Sequence, residues 1–142
     1  MSHGAALAEL THMRLCYVVD DHGDTREGFA EYLRTSGFDV GTAGDAGELR
    51  ALMAEATPFA IVMDVQLPRV DGWTLTREIK GNPRTRPIFV IVVSASSGDG
   101  HHADSSGADA IIPKPCDPQR IVMELNRLQE CETADSVKFS SH

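Results

Sequence analysis

The sequence is poor in the features that would tie it to an oxidising compartment, a membrane or a polyanion. Its three cysteines, Cys16, Cys116 and Cys131, form no CxxC pair and leave one over from any pairing, which argues against a disulfide framework and fits reduced thiols. The longest apolar run, Ile88 to Val93, falls far short of the roughly 20 residues that cross a bilayer. The opening residues, MSHGAALAELTH, lack the basic start and apolar stretch of a secretion signal, so a cytoplasmic location is expected. Positive charge is the minority: 13 basic against 21 acidic side chains leave a net charge of −8, with no long-range attraction to phosphate backbones or anionic lipid. Neither nucleic acid nor membrane is an expected partner, and no segment repeats internally.

What remains is ordinary for a folded domain. With 142 residues, 42 % apolar and 24 % charged, the chain is long enough for one core and too hydrophobic for a disordered segment. Four runs without polar interruption read as strands: Leu15 to Val19, Ala60 to Met63, Ile88 to Val93 and Ala110 to Ile112. Such runs suit a parallel sheet covered on both faces. Phe38 to Thr42 carries Asp39 between apolar neighbours, the mark of an edge strand.

Helical patterns separate the strands. The first has Asp24 as N-cap, Glu27 three residues on, apolar Phe29, Tyr32 and Leu33, and Gly37 as terminator. The second has Asp45 and Glu48 as a capping box before Leu49, Leu52, Met53 and Ala56, and ends at Pro58. A short third runs from Trp73 to Lys80, and the turn Asp71-Gly72 precedes it. The last opens on Asp117 and Pro118 and lines one side with Ile121, Val122, Leu125 and Leu128. Where a fourth helix is due, Ser96 to Gly107 holds almost no apolar residues and is expected to be short or frayed. The ends, residues 1–13 and 131–142, read as polar or small-residue tails around one domain, residues 14–130. Repeated strand-helix alternation predicts a right-handed, doubly wound α/β sheet of five parallel strands, in which ligands collect at the carboxyl ends of the strands.

At those ends stand Asp20 and Asp21, Asp64, Ser94 and Lys114. Three carboxylates converging on one crevice need a counter-charge, and an oxygen-rich acidic cluster suits Mg²⁺. A hydroxyl, an ammonium and a divalent cation are together what a phosphoryl group requires, and a carboxylate among them can be its nucleophile.

The Asp20-Asp21 pair, the stretch Asp64-Val-Gln-Leu-Pro-Arg-Val-Asp71-Gly72, Ser94-Ala95 and Lys114-Pro115 resemble the receiver family of bacterial response regulators, across about Arg14 to Glu130. The resemblance implies the flavodoxin-like strand order 2-1-3-4-5. It implies that Asp64 accepts a phosphoryl group from a phosphohistidine. Mg²⁺ would be held by Asp21, Asp64 and the backbone carbonyl of Gln66, with Asp20 acting mainly through a water. Ser94, the backbone N–H of Ala95 and Lys114 would hold the phosphoryl oxygens, Lys114 often beside a cis peptide to Pro115. The implied partners are a sensor histidine kinase or a histidine phosphotransfer protein, met around Arg26 to Arg34, and a downstream protein reached by contact or relay. With no output domain expected, the chain reads as a stand-alone regulator that assists its own modification and is not a turnover enzyme.

Some positions depart from that pattern. Ile111 stands where the family usually has a rotating Tyr or Phe, so any signal must pass by loop repacking near Ser94 or through the weak fourth helix. The span from Ser94 to Gly107 is about two residues shorter than the family leads one to expect. Pro113 removes a donor at the end of the last strand, tolerable at an edge. Gln66 and Ser96 flank the route of a hydrolytic water.

Other readings compete. A phosphatase of the haloacid dehalogenase type also uses an aspartyl phosphate, but it needs a D-x-D pattern after the first strand, where this chain has Asp20-Asp21-His22. A phosphate-independent, receiver-like binding module would explain Ile111 and the odd Ser96 to Gly107 segment, against the intact acidic pair, Asp64, Ser94 and Lys114. His101-His102 lacks a third metal ligand at sensible spacing and reads as solvent-exposed. His22, beside the acidic pair, reads as a loop histidine with the alternative of contacting the donor or tuning the site's charge.

Overall fold

The computed structural model describes residues 14–95 and 105–140, with side chains as far as residue 131. Five parallel strands, β1 Leu15–Val19, β2 Asp39–Ala43, β3 Ala60–Asp64, β4 Phe89–Ser94 and β5 Ala110–Pro113, form one sheet in the order β2-β1-β3-β4-β5. Helices α1 Gly23–Thr35, α2 Ala46–Glu55, α3 Gly72–Gly81 and α4 Pro118–Ser140 cover it, and Ser105 and Ser106 are helical ahead of β5. The expected class and strand order are both present. The strand order reverses between β1 and β3, so the loops after those two strands diverge and leave a crevice at their carboxyl ends.

Side chains alternate along the central strands between two cores. Cys16, Val18, Ala60, Val62, Ile91 and Val93 pack with Leu33 of α1 and with Ile121, Leu125 and Leu128 of α4. Tyr17, Val19, Ile61, Met63, Val90 and Val92 pack on the other face with Leu49 of α2 and with Trp73, Leu75 and Ile79 of α3. Because helices cover both faces, both parities must be apolar, which is why these strands read as unbroken runs. Tyr17 meets the polar demand of its hydroxyl by donating to the carbonyls of Leu52 and Ala56, at 3.0 and 2.7 Å, at the end of α2.

Several expectations need correction. Helix α1 starts at Gly23 with His22 in the cap position; Arg26 N already donates to the His22 carbonyl, so Asp24 is a first-turn residue that favours the positive helix end by charge alone. Tyr32 is 38 % exposed, and Ala30 takes the buried place beside Leu33. In α2, Asp45 accepts from Glu48 N as expected, while Glu48 reaches back to the backbone N–H of Gly44. Leu49 is fully buried, but Ala56 lies on the surface past the helix end. Asp71 caps α3 by accepting from Thr74 N at 2.8 Å, so the helix begins one residue before Trp73. Helix α4 runs through the expected C-terminal tail to Ser140, because once the packed first turns exist each further residue adds a hydrogen bond at little cost. The N-terminal tail and most of the weak fourth-helix segment, residues 96–104, lie outside the described residues.

Leu125 is fully buried and Met123, two residues earlier, is 60 % exposed. Leu125→Ala is expected to cost about 2–5 kcal/mol and Met123→Ala no more than about 0.5 kcal/mol, measured by urea unfolding.

Candidate functional site

The residues that matter leave the sheet at its carboxyl edge, each held by a different local device. Asp20 follows β1, where its N–H donates to the Ala43 carbonyl at 3.0 Å and extends the pairing with β2. Its carboxylate turns back to accept the N–H of His22 at 2.9 Å, closing a tight turn that places Asp21 and His22 beside it. Arg26, on the first turns of α1, donates through Nη1 to the Asp20 carbonyl at 2.9 Å.

Asp64 is the last residue of β3. The loop after it folds back through Leu67 N and Gly72 N, both donating to the Val65 carbonyl, and through Arg69 in the left-handed region at φ 69°. The return of that loop is so close that a Cβ on Gly72 would sit 2.1 Å from the Asp64 carbonyl oxygen. Glycine is required here for space.

Lys114 follows β5. Its N–H donates to the Ser94 carbonyl at 2.8 Å, directly after the pairing of Ser94 with Pro113, and the Lys114–Pro115 peptide is cis. Pro113 sits on the edge strand next to that pairing, the location where a missing donor is tolerated. From this position Lys114 Nζ donates to Asp64 Oδ1 at 2.8 Å. Asp64 is 4 % exposed, and its other oxygen, Oδ2, has no hydrogen-bond partner among the described residues. A buried carboxylate oxygen left in that state is costly unless something positively charged or hydrogen-bonding is meant to meet it.

One donor atom from each of Asp20, Asp21, His22 and Asp64 lies within 4.8 Å of the others. His22 Nδ1 is 3.0 Å from Asp21 Oδ1 and 3.5 Å from Asp20 Oδ1. The carboxyl of Asp20 is pushed above the usual carboxylate range, chiefly by burial; the His22 N–H opposes this, the charge on Asp64 adds to it, and Lys114 and the His22 side chain offset part. Beside the cluster lies an open cavity of about 200 Å³ walled by Asp20, His22, Thr25, Phe29, Lys114 and Cys116. Burial raises the Cys116 thiol, and it pushes the core thiol of Cys16 up to about 12, so neither is an activated nucleophile.

The structure therefore brings together Asp20, Asp21, Asp64 and Lys114 as expected. Ser94 is buried at the end of β4, on the strand neighbouring Asp64, and Ala95 follows it on the surface. Gln66 is an exposed residue of the loop after β3. His22, Arg26 and Gly72 belong to the site more intimately than their residue types suggest. His101 and His102 lie outside the described residues.

Residues 16–126 match the family model described as the response regulator receiver domain. The chain belongs to that family. Among its relatives, Response regulator MprA of Mycobacterium ulcerans (strain Agy99) is 32 % identical over 129 residues, covering 87 % of this chain and 56 % of the relative. MprA of Mycobacterium tuberculosis (strain ATCC 25618 / H37Rv) is 32 % identical over 111 residues, covering 78 % and 48 %. This receiver thus spans about half the length of the curated relatives it matches. Among solved structures, the receiver domain of a signal transduction histidine kinase from Syntrophus aciditrophicus superposes with a TM-score of 0.76 at 28 % identity, covering 80 % of this chain and 88 % of that one. The BeF3-activated DrrB receiver domain gives 0.71 at 28 %, covering 83 % and 98 %. Receiver domains are signalling modules of two-component systems that take a phosphoryl group and bind Mg²⁺ at an acidic site; they do not turn over an external substrate. No helix among the described residues is long and apolar enough to cross a membrane.

Two outcomes follow for this receiver. Gly72→Ala must displace the Asp64 carbonyl and is expected to cost at least about 1–3 kcal/mol in urea unfolding, the range of an overpacked interior. Because the Asp20 pKa is raised on folding, the folded metal-free protein keeps that proton to higher pH than the unfolded chain, and stability falls as pH climbs from the ordinary carboxylate range through the raised value. Asp20→Asn is expected to flatten that fall and raise the metal-free melting temperature at neutral pH, checked by thermal unfolding in EDTA across pH 4–8.

Proposed function

We propose that this receiver takes a phosphoryl group onto Asp64 from the phosphohistidine of a sensor histidine kinase or histidine phosphotransfer protein, in a Mg²⁺-dependent reaction. The observation that carries the reading is the state of Asp64: one oxygen is held by Lys114, the other is buried without a partner among the described residues, at the mouth of an acidic cluster. Oδ2 forms the new O–P bond as the N–P bond of the donor breaks, and the donor imidazole leaves with the electron pair and regains a proton from solvent. Lys114 fixes the attacking carboxylate and pairs with a phosphoryl oxygen. Ser94 and the backbone N–H of Ala95 take the others from the end of β4. The residues fit Mg²⁺, since clustered carboxylates with an unmet oxygen suit a hard cation that keeps several waters. Asp21, Asp64 and the carbonyl of Gln66 would hold it, with Asp20 acting through a water. When bound, the ion supplies charge that offsets the carboxylates and the transferring phosphoryl group.

In this reading the receiver unit is residues 14–130, signalling in the cytoplasm by protein contact or by relay to another histidine protein. It assists its own phosphorylation and dephosphorylation. Ile111 lies on edge strand β5, 41 % exposed, and has no polar tip, so in this reading a change at Asp64 is passed on by repacking near Ser94 or through the weak fourth-helix segment.

Incubation with Mg²⁺ and acetyl phosphate, followed by intact mass, tests the proposal. The wild type is expected to gain one phosphoryl group and Asp64→Asn none. An unmodified wild type, folded, Mg²⁺-bound and also inert to phosphorylated histidine kinases, would instead favour a phosphate-independent binding module.

A further inference from the structure

The pocket contains one nitrogen donor that the phosphoryl chemistry does not use. The turn after β1 fixes His22 by its own backbone, whose N–H is bound to Asp20 Oδ1, while its side chain is 70 % exposed. No packing demand holds the ring in place, yet Nδ1 stands 3.0 Å from Asp21 Oδ1 and 3.5 Å from Asp20 Oδ1. Ligand atoms bound at about 2.0 to 2.1 Å around a tetrahedral Zn²⁺ are about 3.3 to 3.4 Å apart, and the two separations of His22 Nδ1 bracket that distance. The donor atoms of Asp20, Asp21, His22 and Asp64 all lie within 4.8 Å of one another, so closing on one ion needs side-chain adjustment only. A second, separate feature points to a cation: Asp64 Oδ2 is buried in the same cluster without a partner among the described residues.

Mg²⁺ takes oxygen ligands and water, whereas imidazole suits zinc, nickel and copper and is the commonest protein ligand for such ions. We propose that His22 is a direct nitrogen ligand in this receiver's cation pocket, making it a mixed nitrogen and oxygen site that binds Zn²⁺ through the imidazole and Mg²⁺ without it. Residue 22 then sets which divalent ion the pocket prefers, while the carboxylates set that it binds one at all. The inference rests on the acidic pocket being the receiver's cation site.

Calorimetric titration of the whole chain with ZnCl₂ and, separately, MgCl₂ tests it, scoring only the Zn²⁺ that excess Mg²⁺ displaces. That restriction removes binding at the other five of the six histidines. His22→Ala is expected to weaken displaceable Zn²⁺ binding at least about tenfold, the loss seen for even an outer-shell partner of a metal, and to leave Mg²⁺ binding within about twofold. In the wild type, the His22 imidazole ¹⁵N signals are expected to show the large displacement of a metal-bound nitrogen on adding Zn²⁺, and only the smaller change of a neighbouring charge on adding Mg²⁺, because His22 Nδ1 stands 3.0 Å from Asp21 Oδ1. Equal weakening of both ions, or no change in either, overturns the imidazole ligand while leaving the cation site standing. A wild type that binds neither ion overturns both.

Discussion

A lysine ammonium set 2.8 Å from a buried aspartate is the contact on which the rest of this receiver's chemistry depends. Asp20 and Asp64 are almost fully buried and Asp21 stands beside them, so the crevice gathers like charge where water screens it poorly. Lys114 is the counter-charge built into the chain. It arrives by way of the topology: β5 pairs with β4, β4 with β3, and the Lys114 N–H hydrogen-bonds Ser94 just where the ladder ends. The pair leaves one Asp64 oxygen without a partner among the described residues, and the charge on Asp64 adds to the burial that chiefly raises the Asp20 pKa.

Much of this was legible in the amino-acid sequence because the constraints are strong there. Both faces of a covered parallel sheet must be apolar, so β1, β3 and β4 show as uninterrupted runs, and strand ends are off by a residue or so. The helix ends were less legible. Asp24 looks like a cap and is not one, because a histidine with no side-chain cap bond can still stand first when its carbonyl receives the opening hydrogen bond. The stretch after Glu130 shows no apolar period and is helical as far as Ser140, since a helix already nucleated on a core is cheap to extend.

The candidate site divides the same way. Asp20, Asp21, Asp64 and Lys114 declare themselves by charge at strand ends. His22, Arg26 and Gly72 do not, since their parts depend on how tightly two loops turn. Gly72 is distinguished by the space a Cβ would need against the Asp64 carbonyl, and the only trace of that in sequence is the ordinary aspartate-glycine of a helix start. Arg26 carried one weak signal, its position four residues beyond His22, one helical turn from the loop it tethers.

That tether joins parts of the molecule usually treated separately. Arg26 is rooted in α1, yet its guanidinium holds the Asp20 carbonyl, and Gly44 of the loop after β2 is close enough that a Cβ there would meet Arg26 Nη1 at 3.2 Å. The loop bearing the acidic pair is thus slung from a helix as much as from the sheet. Any tilt of α1 would pull, through a hydrogen bond 2.9 Å long, on the peptide whose carboxylate lines the pocket.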